Sequence, residues 1–275
     1  NSIQLDLDEC SFVNNSAYSI RNSYGGAMFV NNKFTISKSK FDNKTAYSKS
    51  SNCFGGAIRL IGINCLFHNC SFNNNIAETF LSTFLITGDE PRSYGGAISI
   101  SSSKITFKEC KFINNTGFGN SPNHVSTGKG GAIYSESSVI NISACFFNNN
   151  TLCNFGYKYD IDCYTEGGAC YFSNTNSYIS NCNFINNTAM IQASVNSIYF
   201  SARIYGGAIY SHSSTQQLQC ANCLFSNNLV LIPNHKEKEF SGAVYLTNGT
   251  FDNCFFIENT AYNGGDIRYD QINNS

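Results

Sequence analysis

Tryptophan is absent from the 275 residues, methionine occurs twice and proline three times. Charged residues make up only 13%, and 17 Lys and Arg against 18 Asp and Glu leave a formal net charge of −1. A chain so nearly neutral has no long-range field to gather nucleic acid or an anionic membrane. No apolar run is long enough to cross a bilayer as a helix, and no signal-peptide pattern opens the sequence. Nor does any segment place apolar residues at helical spacing, which excludes leucine-rich and helix-pair solenoids. The chain begins at Asn1, without an initiator Met, in what reads as a partial coil. It is therefore expected to be a mature form or an excised segment of a longer chain.

What the sequence does have is repetition. A phrase Cys-x-Phe-x-Asn-Asn occurs eight times, beginning at Cys10, Ser39, Cys70, Cys110, Cys145, Cys182, Cys223 and Cys254. Between consecutive copies stands Gly-Gly-Ala-Ile, beginning at Gly25, Gly55, Gly95, Gly130, Gly167 and Gly206, and weakened at Ser241 and Gly264. Self-similarity at this period marks a solenoid in which each unit buries its apolar face on its neighbours. Around both phrases apolar and polar residues alternate at period two, so each segment reads as a strand with one buried face. The shortest unit, 23 residues from Ser241 to Gly264, holds three short strands and three turns.

The fold predicted is all-β: a right-handed parallel β-helix of about seven to eight coils with three short strands per coil, one repeat domain over residues 1–275. Equivalent strands stack at roughly 4.8 Å, so each inward column becomes a ladder of like residues, Phe12 to Phe256 foremost. The glycine pair suits a sharp corner, and Asn tolerates the left-handed region best among non-glycine residues. Stacked Asn amides are expected to hydrogen-bond up the column. Only the stretch between the Asn corner and the next Gly-Gly varies in length, with inserts at 78–94, 118–129, 153–166, 190–205 and 231–240. All leave from one corner and so crowd on one side, where such repeats often bind partners.

Thirteen cysteines are many for this length. Ten fall in inward columns and read as small buried apolar residues. Cys153 and Cys163, both in one insert, are the best candidates for a disulfide. Cys220 and Cys223 have a C-x-x-C spacing, but both lie in inward columns and no second pair or nearby histidines complete a metal site. No metal or cofactor is expected. His68, His124, His212 and His235 share no column, Asp160 and Asp162 form at most a weak calcium loop, and no converging pair of carboxylates suggests glycoside hydrolysis. The chain is read as a non-enzyme, with a polysaccharide lyase or hydrolase the weaker alternative.

Phe112-Ile-Asn-Asn115 together with Gly130-Gly-Ala-Ile133 resembles the repeats of the chlamydial polymorphic outer-membrane proteins and of related protist surface proteins. The resemblance runs along nearly the whole chain. It implies a β-helical passenger displayed at a cell surface, acting as an adhesin or variable antigen. The membrane barrel of the bacterial members is not in this segment, and the repeat itself is scaffold, so it carries over no functional residues.

One position past the Ile of Gly-Gly-Ala-Ile the side chain points away from the core. There Tyr134, Tyr171, Tyr210 and Tyr245 follow one another and are expected to form an exposed aromatic strip able to bind sugar rings or proteins. The resulting expectation is an extracellular or cell-surface β-solenoid in adhesion or ligand binding, glycans included. Its partners would be host or neighbouring surface proteins or glycans, or copies of itself. Nucleic acid and direct membrane insertion are not expected. The alternative is a structural stalk or filament module with coils stacked end to end.

Overall fold

Alternation at period two commits each segment to a strand, and the length of the repeat commits each strand to pair with its counterpart one repeat away. In the computed structural model, which describes residues 5–80, 91–121, 125–156, 162–193, 201–232, 239–262 and 264–270, every strand pairing is parallel and in register with the repeat. Phe72, for example, lies between Phe41 and Phe112. The chain winds as a right-handed parallel β-helix, the hand that parallel crossovers take.

Three eight-stranded sheets carry the three expected strand columns. Along one coil these are sheet I (strand Lys104–Lys108), sheet II (Lys111–Ile113) and sheet V (Ile133–Glu136). To them the structure adds two seven-stranded sheets, III (Thr116–Ser121) and IV (Ser126–Lys129). A coil therefore has five strands, because the described parts of the inserts on either side are themselves strands. Sheet III leaves the Asn corner, sheet IV returns to Gly-Gly, and the two face each other around a satellite core that includes Cys163, Ala189, Ile191, Ile204 and Val230. Pro122, Pro233, His124, His235 and Asp160 lie outside the described residues.

The main core sits between sheets I, II and V. Its spine is the phenylalanine column of sheet II, from Phe12 to Phe256, with ring centroids 4.6 to 5.0 Å apart and planes within 7° of parallel. Burying one such ring is worth about 1.5–3 kcal/mol, and stacking adds roughly 0.5–1.5 kcal/mol.

The two glycines of each phrase do different work. The first has positive φ, +70° at Gly130 and +78° at Gly167. The second is dictated by its neighbour: a Cβ on Gly131 would stand 1.9 Å from the carbonyl oxygen of Gly168 in the next coil. The two asparagines also divide. The first, such as Asn114 or Asn149, turns the chain at φ near +55° and stays exposed. The second is fully buried and forms the ladder: Nδ2 of Asn75, Asn115, Asn150, Asn187 and Asn228 each donates to Oδ1 of the asparagine one coil on, at 2.8 to 3.0 Å. The other Nδ2 hydrogen goes to the phenylalanine carbonyl of the preceding coil, as from Asn150 to Phe112 at 3.0 Å. Lys44 replaces an asparagine in this ladder. Its backbone N–H donates to Asn75 Oδ1, and its buried Nζ donates to Asn15 Oδ1 at 2.6 Å.

Candidate functional site

Two outward columns meet where sheet IV turns through Gly-Gly into sheet V. The first is the residue just before each glycine pair: Tyr24, Phe54, Tyr94, Lys129, Glu166 and Tyr205. The second is the sheet V column that contains Phe29, Arg59, Ser99 and the four tyrosines. A tight turn at each Gly-Gly brings the columns together, so they form the floor of a groove that runs across the coils.

This placement corrects the expectation of an exposed strip. Tyr134, Tyr171, Tyr210 and Tyr245 are 4 to 8% exposed and belong to one cluster with Tyr94, against which Phe54 and Tyr205 pack. They do point away from the main core, but the sheet IV column covers them. Their faces are also taken: Tyr134–Tyr171, Tyr171–Tyr210 and Tyr210–Tyr245 stack at 5.2 to 5.3 Å. No ring face is left for a sugar to lie on. The covering column was legible as a periodic aromatic position before Gly-Gly, but pairing it with the tyrosines requires the angle at which sheets IV and V meet.

The phenol hydroxyls are anchored to charged neighbours. Tyr134 donates to Glu136 Oε2 at 2.9 Å, Tyr245 donates to Asp270, and Lys129 Nζ donates to the Tyr171 oxygen at 2.9 Å. Lys129 also pairs with Glu166 at 3.6 Å and lies 4.6 Å from the centre of the Tyr171 ring. Burial raises the Glu166 carboxyl above the usual carboxylate range, against the opposing pull of Lys129 and the Tyr210 hydroxyl. Burial is likewise the main cause that raises the tyrosines above the ordinary phenol value.

Across the last coils the groove opens into a cleft of about 300 Å³. Its walls carry Arg203 and Tyr164 on the sheet IV side and His212 and Asp270 on the sheet V side, with Glu166 and Tyr205 at the floor. Arg203 lies over the Tyr164 ring at 5.7 Å. Donors, acceptors and aromatic edges thus converge on one elongated space, the composition of a site that grips a polar ligand through side chains. A second, shallower furrow of about 550 Å³ follows the corner between sheets V and I, lined by hydroxyls and amides such as Ser103, Ser138 and Asn176. Among the described residues no cluster of three or more His, Cys, Asp or Glu could hold a metal ion.

The expected Cys153–Cys163 bridge is not formed, and all thirteen cysteines are thiols. Strand alternation is the reason. Leu152 and Asn154 face sheet IV, where Asn154 Nδ2 donates to the Tyr164 carbonyl at 2.7 Å, so Cys153 between them faces the opposite way. Cys163 packs inside the satellite core. In the main cysteine column the thiols donate to backbone carbonyls, as Cys110 Sγ does to Lys108 at 3.3 Å. Hydrogen bonding to the thiol of the preceding coil, and then burial, push Cys145 and Cys182 up to about 12, and buried thiols of this kind are poor nucleophiles.

No curated protein and no solved structure matches the chain. Residues 109–136 match the Chlamydia polymorphic membrane protein (Chlamydia_PMP) repeat. That stretch contains one copy of each phrase, Cys110 to Asn115 and Gly130 to Ile133, and the other coils restate both. One unit of this β-helix, residues 109–136, is thus similar to the Chlamydia polymorphic membrane protein repeat, and the phrases it carries recur along the chain.

Proposed function

We propose that this chain is the non-enzymatic, surface-displayed β-solenoid of an adhesion protein, and that it holds an extended saccharide strand in the groove between sheets IV and V. The surface assignment rests on the repeat family, whose members are named as membrane proteins. The observation that carries the binding reading is the cleft itself, in which Arg203, His212, Glu166 and Asp270 surround tyrosine edges and hydroxyls.

Saccharide is favoured over peptide by the state of the backbone. An extended peptide binds a sheet chiefly through unpaired strand N–H and C=O groups. Here the groove is floored by strands whose neighbours on both sides already pair with them, as Cys170–Ser173 pairs with Ile133–Glu136 and with Ile209–His212. Recognition must therefore run through side chains, which suits hydroxyl-rich ligands. In support of binding rather than catalysis, the Glu166 carboxyl is already engaged by Lys129 and Tyr210.

The test is a glycan array probed with the wild-type protein and with the double variant Arg203→Ala, His212→Ala, whose side chains lie on the exposed rim. Loss of the bound glycans in the variant is expected, by about tenfold or more, the scale of one lost hydrogen bond to the Arg203 guanidinium. Undiminished glycan binding by the variant would remove the cleft from consideration, and an array with no hits would remove the saccharide reading.

A further inference from the structure

The two ends of the groove differ in charge. In coils four to eight its cations and acids alternate, with Lys129 beside Glu166 and Arg268 within 3.6 Å of Asp270. In the first three coils the two groove columns contain Arg59 and, among the described residues, no carboxylate, while Arg92 stands two residues before Tyr94. Arg59 occupies the position in sheet V that tyrosine holds further down, paired with Phe29 on one side and Ser99 on the other.

Arg59 is 93% buried, since only 7% of it is exposed. Its guanidinium lies over the Phe54 ring, 4.6 Å from the centre, and Nη1 donates to Ser99 Oγ at 2.6 Å. Nε is buried with no hydrogen-bond partner. Among the described residues no carboxylate lies within 4.0 Å to form an ion pair. Glu136 is the acid whose field reaches it, yet that carboxylate accepts from Tyr134 instead. Burial consequently lowers the Arg59 pKa despite the opposing fields of Tyr134, Tyr24 and Glu136. Buried charges are ordinarily paired, and a guanidinium with an idle Nε edge is shaped to take an anionic oxygen group in two parallel hydrogen bonds. Tyr24 and Phe29, both substantially exposed, stand beside it with apolar surface to offer.

We propose that Arg59 is the anion-binding residue of an acidic-saccharide subsite at the first-coil end of this groove, taking a carboxylate or sulfate of a sugar whose ring rests against Tyr24 and Phe29. The proposal rests on the groove being a saccharide site and adds which saccharides it selects. Neutral strands would be held by the lower cleft alone, whereas acidic strands would gain the Arg59 contact.

The test is calorimetric titration of the whole chain with an oligogalacturonate, a carboxylate-free κ-carrageenan sulfate oligosaccharide, a neutral cello-oligosaccharide of similar length, and poly-glutamate. Wild type should prefer an acidic saccharide, with the first two probes separating carboxylate from sulfate. Arg59→Gln should weaken that binding by about 10- to 100-fold, the range for a charge-assisted contact, and leave the neutral probe unchanged. Arg59→Lys should restore only part of the loss, because an ammonium keeps the charge without the fork. Because Arg59 is buried, the same titration is also followed on wild type through its Nε–H resonance, which should shift on saturation with the acidic probe. Equal affinity for neutral and acidic strands, or an unmoved Nε–H signal, overturns the Arg59 subsite and leaves the groove reading intact. Failure of every saccharide to bind overturns both. Preference for poly-glutamate that is lost in Arg59→Gln overturns the saccharide assignment.

Discussion

Replacing Asn150 by alanine tests how much of the fold depends on the buried amide column. Asn150 Nδ2 donates to Phe112 at 3.0 Å and to Asn187 Oδ1 at 2.9 Å, and its Oδ1 accepts from the backbone N–H of Asn115 at 3.1 Å and from Asn115 Nδ2 at 2.9 Å. The truncation deletes all four bonds at a site with no solvent access. The orphaned groups are the Asn115 N–H and one Asn115 amide hydrogen, while the Phe112 carbonyl, in a strand paired with Phe146–Asn148, loses one of its partners. Asn187 Oδ1 keeps the bond from the Asn150 backbone at 3.1 Å. At about 0.5–1.5 kcal/mol net per bond, and more where a buried group is stranded, the loss should be about 3–5 kcal/mol. The assay is urea unfolding followed by circular dichroism and tyrosine fluorescence. The control is Asn149→Ala, one residue earlier, exposed and at φ +53°. It should cost about 1 kcal/mol, the penalty of placing a Cβ without a helpful side chain in the left-handed region. If the two variants fell within 1 kcal/mol of each other, the ladder would be ornamental and the corner conformation would carry the fold. Asn150→Asp sharpens the point, since a carboxylate keeps the shape but replaces both donors with an acceptor, and it should be at least as damaging as alanine.

Other outcomes follow from the same geometry. Gly131→Ala should abolish folding of the full solenoid, because the added Cβ would meet the Gly168 oxygen at 1.9 Å in a backbone contact that cannot yield; a cooperative thermal transition near that of wild type would refute this. Lys44 has its pKa lowered to about 8, chiefly by burial. Below pH 8 it is charged in both folded and unfolded chains and the folded state bears the full desolvation cost. Between pH 8 and about 10.5 the folded protein sheds the proton first and gains stability. Lys44→Asn, which restores the ladder amide, should therefore stabilise by on the order of 1–3 kcal/mol at pH 7, an advantage over wild type that shrinks toward pH 10.5 in paired urea titrations. Thiol labelling of the native protein with an aromatic disulfide reagent should begin at Cys10 and Cys254, which are only partly covered, and reach the central column only on unfolding; early labelling of Cys145 or Cys182 would contradict their burial.

Much of this molecule can be read along the chain. The positions of Phe112, Gly131 and Asn150 within the repeat each admit few alternatives, because a stacked ring, a backbone contact without room for Cβ and a buried amide are local demands made again in every coil. Those demands are set by a residue and its copies one repeat away, so the parallel β-helix, its inward columns and its two kinds of corner are legible from the repeat alone. The inserts, the tyrosines and Cys153 depend on something else. Whether the stretch after Asn-Asn is a loop or a strand depends on two segments facing each other, as Leu152 and Asn154 do toward sheet IV. Whether Tyr171 is exposed depends on the angle at which sheet IV returns to Gly167. Alternation says which face of a strand a side chain occupies but not what stands opposite that face. The facing of whole sheets is what makes the tyrosine column a covered floor, points Cys153 and Cys163 apart, and buries Arg59 at the end of a groove with no described acid paired to it.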